Sequence, residues 1–374
     1  MWTVDEEALE RLAIGAGILG TGGGGNPYIG KLHAKALLAE GKTITIVSPD
    51  TVPDDALVTS VGFMGAPVVS VERIKRGDEP LRALRALERH IGREFTHVVP
   101  GEIGGANSTS PMVVAAQTGL PLIDGDGMGR AFPELQHDTF MIYGVAAAPG
   151  AIADPRGHVA IFDGFTDATV LERYARSVTI GMGGSAGYAF PVMTGVELKR
   201  TVVPGTITLA IELGEAVLQA RATHADPVES VLAVTGGRRL FAGKITDVQR
   251  RLVGGFARGV LRIDGTGVDA GREIVIDIQN ENLIARTSDG EILAVVPDLI
   301  CIIDQDSAEP ITTELLRYGL RVVVLGIPAP VELKTPEALA VVGPAAFGYP
   351  DIPFVPLDGV YAQGSHFRHQ VVNR

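Results

Sequence analysis

Cysteine is almost absent: the 374-residue chain has one, Cys301. That excludes a disulfide within the chain and any zinc cluster built on several thiolates. Cys301 sits in the apolar run Leu299–Ile303 and reads as a small buried hydrophobe in a strand. Cysteine scarcity also fits a reducing compartment. Histidines number eight, with no H-x-H, H-E-x-x-H or H-x-x-x-H spacing, so a histidine-rich metal centre would need ligands from distant segments. Basic residues are outnumbered, 32 Lys and Arg against 44 Asp and Glu, for a net charge of −12. The one dense basic run is Arg238–Arg239, Lys244 and Arg250–Arg251, so nucleic acid and anionic membrane are excluded as expected partners. No apolar run approaches the roughly 18 residues of a membrane helix. The start, Met-Trp-Thr-Val-Asp-Glu-Glu, lacks the basic residues of a signal peptide, so a cytoplasmic protein is expected. A serine-hydrolase elbow is missing too: Gly184-Ser185-Ala186-Gly187 does not have its spacing.

What is present points to a large, well-packed chain. Apolar residues make up 46% of it, and the mean hydropathy is +0.24. Such a core suits a small-molecule enzyme, and the surplus of apolar residues suggests a homo-oligomer. Residues 4–14 read as an amphipathic helix with acids in its first turn. Further helices are expected at 28–40, 79–91 and 108–118, with strands at 43–47, 57–63, 97–100 and 121–123. This alternation predicts an α/β domain over 1–165, a mostly parallel sheet with flanking helices. Residues 166–374 form the second part. Helices are expected at 167–180 and 203–222, with 228–234 either helix or short strand. From about 238 the chain turns β-rich, as a barrel or sandwich with strands at 239–245, 257–264, 272–278, 282–287 and 291–294. Leu299–Asp304, a helix at 311–318 and Arg321–Gly326 read as a small βαβ unit. The tail from 332, with His366 and His369, reads as irregular and surface-wrapping.

Gly15-Ala16-Gly17-Ile18-Leu19-Gly20 matches the formal G-x-G-x-x-G pattern. A dinucleotide fingerprint needs a strand before it. Here the preceding residues read as an acidic helix; the other parse makes 11–19 the strand and Asp50 the ribose-binding acid. More informative is Gly22-Gly23-Gly24-Gly25-Asn26-Pro27 ahead of a helix. Four glycines are entropically expensive, and are tolerated where backbone must approach something closely. The run is either a flexible connector or a site loop beside a helix N-terminus; no Gly-Lys-Ser/Thr of a phosphate loop follows it.

Two acid-bearing loops each follow a strand: Gly101-Glu102-Ile103-Gly104-Gly105-Ala106-Asn107, and Asp124-Gly125-Asp126-Gly127-Met128-Gly129-Arg130, continuing to Glu134. In open α/β sheets such loops open on one sheet edge, where ligands bind. Glu102, Asp124 and Asp126 are the candidate catalytic acids, since converging carboxylates either hold a metal or have their pKa values pushed apart. Gly22, Gly23, Gly24, Gly25, Asn26, Asn107, Met128 and Arg130 are the candidate substrate-binding residues. Asp124, Asp126, Glu134 and His137 are the candidate metal ligands. Gln279-Asn280-Glu281-Asn282, like 243–250, is either a solvated turn or face, or a border of the cleft between the two parts.

Together, residues 20–27, 102–107, Asp-Gly-Asp-Gly-Met-Gly-Arg-Ala-Phe-Pro-Glu at 124–134, Gly-Lys-Ile-Thr-Asp-Val-Gln-Arg at 243–250, Gln-Asn-Glu-Asn-Leu at 279–283 and Val-Pro-Asp-Leu-Ile at 296–300 resemble the S-methyl thiohydantoin desulfurase-like family, over nearly the whole chain. The resemblance implies a hydrolase that removes sulfur, as sulfide or thiol, from C2 of a thiohydantoin-like ring to leave a hydantoin. Glu102 or Asp124 would be the base, the Gly22–Gly25 loop would stabilise charge, and a divalent metal such as zinc would activate water. Two other readings stand beside it: a non-catalytic ligand-binding or regulatory subunit in hydantoin or amino-acid catabolism, and a nucleotide-dependent enzyme using the glycine loop.

Overall fold

The computed structural model describes residues 1–65, 69 and 76–364. Asp5 starts the first helix, Glu6–Leu19, by accepting the Ala8 N–H at 2.7 Å. The helix runs on through the G-x-G-x-x-G pattern, which removes the dinucleotide parse of 11–19 as a strand. Its glycines serve packing. A Cβ on Gly15 would lie 1.9 Å from the Ala210 carbonyl oxygen, and one on Gly214 would lie 1.9 Å from that of Arg11. The helices Glu6–Leu19 and Thr206–Thr223 thus cross with their backbones in contact, each glycine admitting the other helix.

The first sheet has eight strands, in the order Trp2–Thr3, Thr45–Val47, Leu122–Ile123, His97–Pro100, Leu57–Gly65, Ser185–Thr194, Gly150–Ala153 and Val159–Phe162. It is less parallel than expected. The strands from Thr45–Val47 to Leu57–Gly65 run parallel, and every other pairing is antiparallel. Ser185–Thr194 comes from beyond residue 165 and sits inside this sheet, paired to Leu57–Gly65.

The second sheet is antiparallel, in the order Ile292–Val295, Glu281–Thr287, Glu273–Gln279, Phe256–Gly265, Arg238–Val253, Arg321–Ile327 and Leu299–Asp304. It curls until its ends approach: Asn282 Nδ2 donates to the Ile300 carbonyl at 2.9 Å. The expected βαβ unit is not formed. Leu299–Asp304 and Arg321–Ile327 are antiparallel neighbours, and 311–318 contains no helix. Thr313 is taken up by tertiary bonds instead. The Thr313 N–H donates to the Gly22 carbonyl at 2.7 Å, and its hydroxyl to the Asn280 carbonyl at 2.8 Å.

The main apolar core lies between the sheets. It joins Leu9, Leu12, Ile207 and Leu213 of the helices to Val98 and Leu122 of the first sheet and Leu299, Cys301 and Leu325 of the second. Cys301 is buried there, as its sequence context predicts, and burial pushes its thiol up to about 12. The tail is more ordered than expected. It carries the helix Pro336–Val342 and buries Leu333, Phe347, Leu357 and Tyr361, the last donating to the Gly129 carbonyl at 2.8 Å. His366 and His369 lie outside the described residues. No helix among the described residues is long and apolar enough to cross a membrane.

Candidate active site

The parallel strands end at the loops 101–107 and 124–134, and a cavity of about 440 Å³ opens there. Its walls combine Gly24, Gly25 and Asn26, Glu102 and Asn107, Met128 and Phe132 to Leu135, the strand end Phe63–Gly65, and Asn280, Glu281 and Glu314 from the second part of the chain. The volume falls within the range of small-molecule sites.

Glu102 is buried at 7% exposure and held on both oxygens. Asn107 Nδ2 donates to Oε1 at 2.7 Å, and the Phe132 N–H donates to Oε2 at 3.2 Å. Asn107 is itself fixed by Phe63, whose N–H donates to its Oδ1 at 2.8 Å and whose carbonyl accepts from its Nδ2 at 2.9 Å. Burial, which these hydrogen bonds only partly oppose, pushes the Glu102 carboxyl up to about 8.

Glu281 faces the same cavity at 1% exposure, and its Oε2 has no hydrogen-bond partner. Burial raises its carboxyl well above the usual range, the charge of Glu102 adds to the rise, and Arg130 opposes it. Two carboxyl groups that favour the protonated form therefore share one cavity. Sequence reasoning did not single out Glu281 as a site residue. Its signal was the Gln279–Asn282 string, which left a solvated turn and a cleft border equally open. Glu314, raised by burial, is a further acid of the wall that was missed.

The other candidate acids lie elsewhere. Asp124 sits at the start of the helix Thr206–Thr223. Its Oδ1 accepts the N–H groups of Ile207 and Thr208 at 3.0 and 3.1 Å, and its Oδ2 accepts the Thr208 hydroxyl. Asp126 is fully buried and ties its loop to its neighbour. Its Oδ2 accepts N–H groups from Ile103, Met128 and Gly129 at 2.7, 3.2 and 2.9 Å. Burial outweighs these bonds and pushes the carboxyl up to about 7. Neither aspartate lines the cavity.

Arg130 is likewise off the cavity wall, fully buried between the two parts of the chain. Its Nη1 donates to the Pro297 and Asp298 carbonyls at 2.9 and 2.8 Å, and its Nη2 to the Thr21 hydroxyl at 2.9 Å. His137 is packed between Phe132 and Phe347, with ring centroids 5.5 and 5.2 Å away. Burial drives its ring down to about 3, so it stays neutral. Of the candidate metal ligands only Glu134 lines the cavity. Among the described residues no three His, Cys, Asp or Glu side chains group as a metal site, so Asp124, Asp126, Glu134 and His137 do not fit a metal centre.

The glycine run is a packed part of the wall rather than a loose connector. The Ala106 N–H donates to the carbonyls of Gly24 and Gly25 at 2.9 and 3.0 Å. A Cβ on Gly24, where φ is +70°, would lie 2.4 Å from the Gly104 carbonyl oxygen. Gly22 and Gly23 stand behind the wall. The Gly22 carbonyl holds Thr313, and Gly23 abuts Glu281.

These features define a two-sheet α/β protein with a small-molecule-sized cavity walled by both parts of the chain. The S-Me-THD-like N-terminal domain matches residues 7–164 and the S-Me-THD-like C-terminal domain matches residues 166–357, so the chain belongs to the S-methyl thiohydantoin desulfurase-like family. A crystal structure of a protein from Chromobacterium violaceum is 26% identical, covers 96% of this chain and 100% of its own, and has a TM-score of 0.81. No curated protein matches the chain.

Proposed function

We propose that the protein hydrolyses the C2–S bond of a thiohydantoin-like five-membered ring, releasing a thiol and leaving a hydantoin. The observation that carries this reading is the pair of buried carboxyl groups, Glu102 and Glu281, turned to one cavity. The family supplies the thiohydantoin and the desulfurising character of the reaction. The carboxyl pair supplies the acid and base that a hydrolysis needs.

The atoms balance without an oxidant or reductant. The oxygen of water bonds to C2 and the C2–S bond breaks. One water proton ends on the ring nitrogen and the other on the departing thiol. Glu102, once ionised, takes the proton from water and passes it to the ring nitrogen. Glu281, held protonated, gives its proton to sulfur and recovers one as the C2 hydroxyl becomes a carbonyl. Asn107 keeps Glu102 aimed through its 2.7 Å bond. A nucleotide reading is less well supported, because Gly15 and Gly17 of the G-x-G-x-x-G pattern are packed inside a helix against Ala210 and Pro310, and Gly24 of the glycine run is packed against Gly104.

The test is incubation of the purified protein with a 2-methylthio-substituted hydantoin ring, following methanethiol by a thiol reagent and the hydantoin by mass spectrometry. Equimolar formation of both supports the proposal; an intact ring after prolonged incubation overturns it.

A further inference from the structure

We infer that the Tyr188 hydroxyl is a further catalytic group of this cavity, donating a hydrogen bond to the ring carbonyl oxygen at C4 of the substrate while water adds at C2. This rests on the reaction proposed above and concerns charge that Glu102 and Glu281 do not meet.

Tyr188 lies on the strand Ser185–Thr194, directly opposite Gly62 of Leu57–Gly65. It lines the cavity and is otherwise buried. Its ring stacks on Phe190 with centroids 5.0 Å apart, inside the apolar cluster that includes Met64, Leu135 and Phe162. Packing fixes the ring, which leaves the hydroxyl as the part with a polar task.

Two glycines make room for that hydroxyl. A Cβ on Gly101 would lie 2.2 Å from Tyr188 Oη, and one on Gly62 would lie 2.9 Å from it. Neither glycine has a positive φ, so the missing side chains serve space rather than backbone freedom. Gly101 immediately precedes Glu102. The Gly62 Cβ would also lie 2.9 Å from Oδ1 of Asn107, the residue that aims Glu102. The phenol is therefore brought beside the proposed base. Burial raises it above its ordinary range and the charge of Glu102 adds to the rise, so Tyr188 stays a neutral O–H donor while Glu102 ionises.

The proposed reaction has a place for such a donor. As the water oxygen bonds to C2, the π pair of the C2–N double bond moves to the ring nitrogen and spreads to the carbonyl oxygen beside it. Glu102 and Glu281 move the protons of water and sulfur, and neither is a fixed donor to that oxygen. A preorganised O–H in a buried wall stabilises the charge as it develops. Tyr188 keeps its proton throughout, so it needs no resetting between turnovers.

The test compares the wild type with Tyr188→Phe, which keeps the ring and its stacking on Phe190, each shown folded by thermal melting. kcat and KM are measured with a 2-methylthio hydantoin ring. Calorimetry gives the affinities for hydantoin, which has the C4 carbonyl, and for 2-imidazolidinone, which lacks it. We expect kcat to fall by about 10²–10³-fold with KM changed much less. Hydantoin affinity should fall by about fivefold, with 2-imidazolidinone affinity unchanged. An unchanged kcat overturns the inference while leaving the reaction standing. So does an equal loss of affinity for both rings, which would make Tyr188 a packing residue. If the wild type releases no thiol, the reaction fails and the two affinities decide alone. A loss for hydantoin only upholds the hydrogen bond; no loss, or an equal one, overturns it.

Discussion

Oε1 of Glu281 occupies the space from which a side chain at Gly23 would grow: a Cβ there would lie 1.9 Å from it. The glycine run and the carboxyl group, some 260 residues apart in sequence, are therefore shaped to each other. Gly23 has an ordinary backbone conformation, so alanine is not strained by φ and its effect falls on Glu281. We expect Gly23→Ala to lower kcat/KM by about 10²-fold or more, the scale of losing a positioned acid, while Tm moves little. Activity close to that of the wild type would separate the glycine from the carboxyl group.

The pH profile follows from the two carboxyl groups. Glu102 must ionise to act as base, and burial holds it at about 8. Glu281 is also raised by burial, ionisation of Glu102 adds to that rise, and it must keep its proton to act as the acid. We expect kcat/KM to rise through about pH 8 and to fall again as Glu281 loses its proton, a bell displaced to the alkaline side of neutrality. A profile flat from pH 5 to 9 would contradict this pairing of roles.

The same shift bears on stability. The folded state holds the Glu102 proton from its ordinary value of 4.5 up to about 8. Its contribution is therefore full below the unfolded value and is lost as pH rises through the folded one, at about 1.4 kcal/mol per pH unit across that window. Glu102→Gln carries no such proton. We expect the variant to gain in Tm relative to the wild type as pH goes from 5 to 8.5, measured by calorimetry at matched ionic strength. A constant difference across that range would contradict the buried, protonated state.

Asp124 separates the geometry from the sequence pattern. As a candidate base it would be lost from activity with the fold intact. Its bonds to Ile207 and Thr208 instead make it the anchor of the helix Thr206–Thr223. We expect Asp124→Ala to destabilise the protein by about 1–2 kcal/mol, as for a helix cap, with kcat/KM of the folded fraction changed less than tenfold. A large loss of kcat/KM at unchanged Tm would restore it to the chemistry.

Local pattern carried much of the fold. The helices Glu79–Ile91 and Ala168–Gly181 and the strands His97–Pro100 and Leu299–Asp304 stand where periodicity and β-branched runs put them. The errors came where distant contacts outweigh local preference. Residues 311–318 read as a helix because Thr313 gives no local sign of its bonds to Gly22 and Asn280. The glycines at 15 and 17 match a nucleotide fingerprint only formally, and the contacts they serve, with Ala210 and Pro310, leave no sign in local spacing.

The site was half legible for the same reason. Glu102, Asn107 and Met128 follow strand ends, and that rule brings them to one cavity, which the glycine run between two helices joins. It says nothing of burial geometry within a loop, so Asp124 and Asp126, equal to Glu102 as glycine-flanked acids, turn inward to backbone N–H groups. Glu281 comes from the curled second sheet, and Thr21, whose carbonyl accepts the Asn282 N–H at 2.8 Å, helps bring it in. No spacing rule reaches across that join.

The most direct measurement is single-turnover thiol release from a 2-methylthio hydantoin ring by the wild type, Glu102→Gln and Glu281→Gln, each shown folded by circular dichroism. The account predicts methanethiol and hydantoin in equal amounts from the wild type, with both variants slower by about 10²–10⁴-fold. Both variants releasing thiol at the wild-type rate would contradict it.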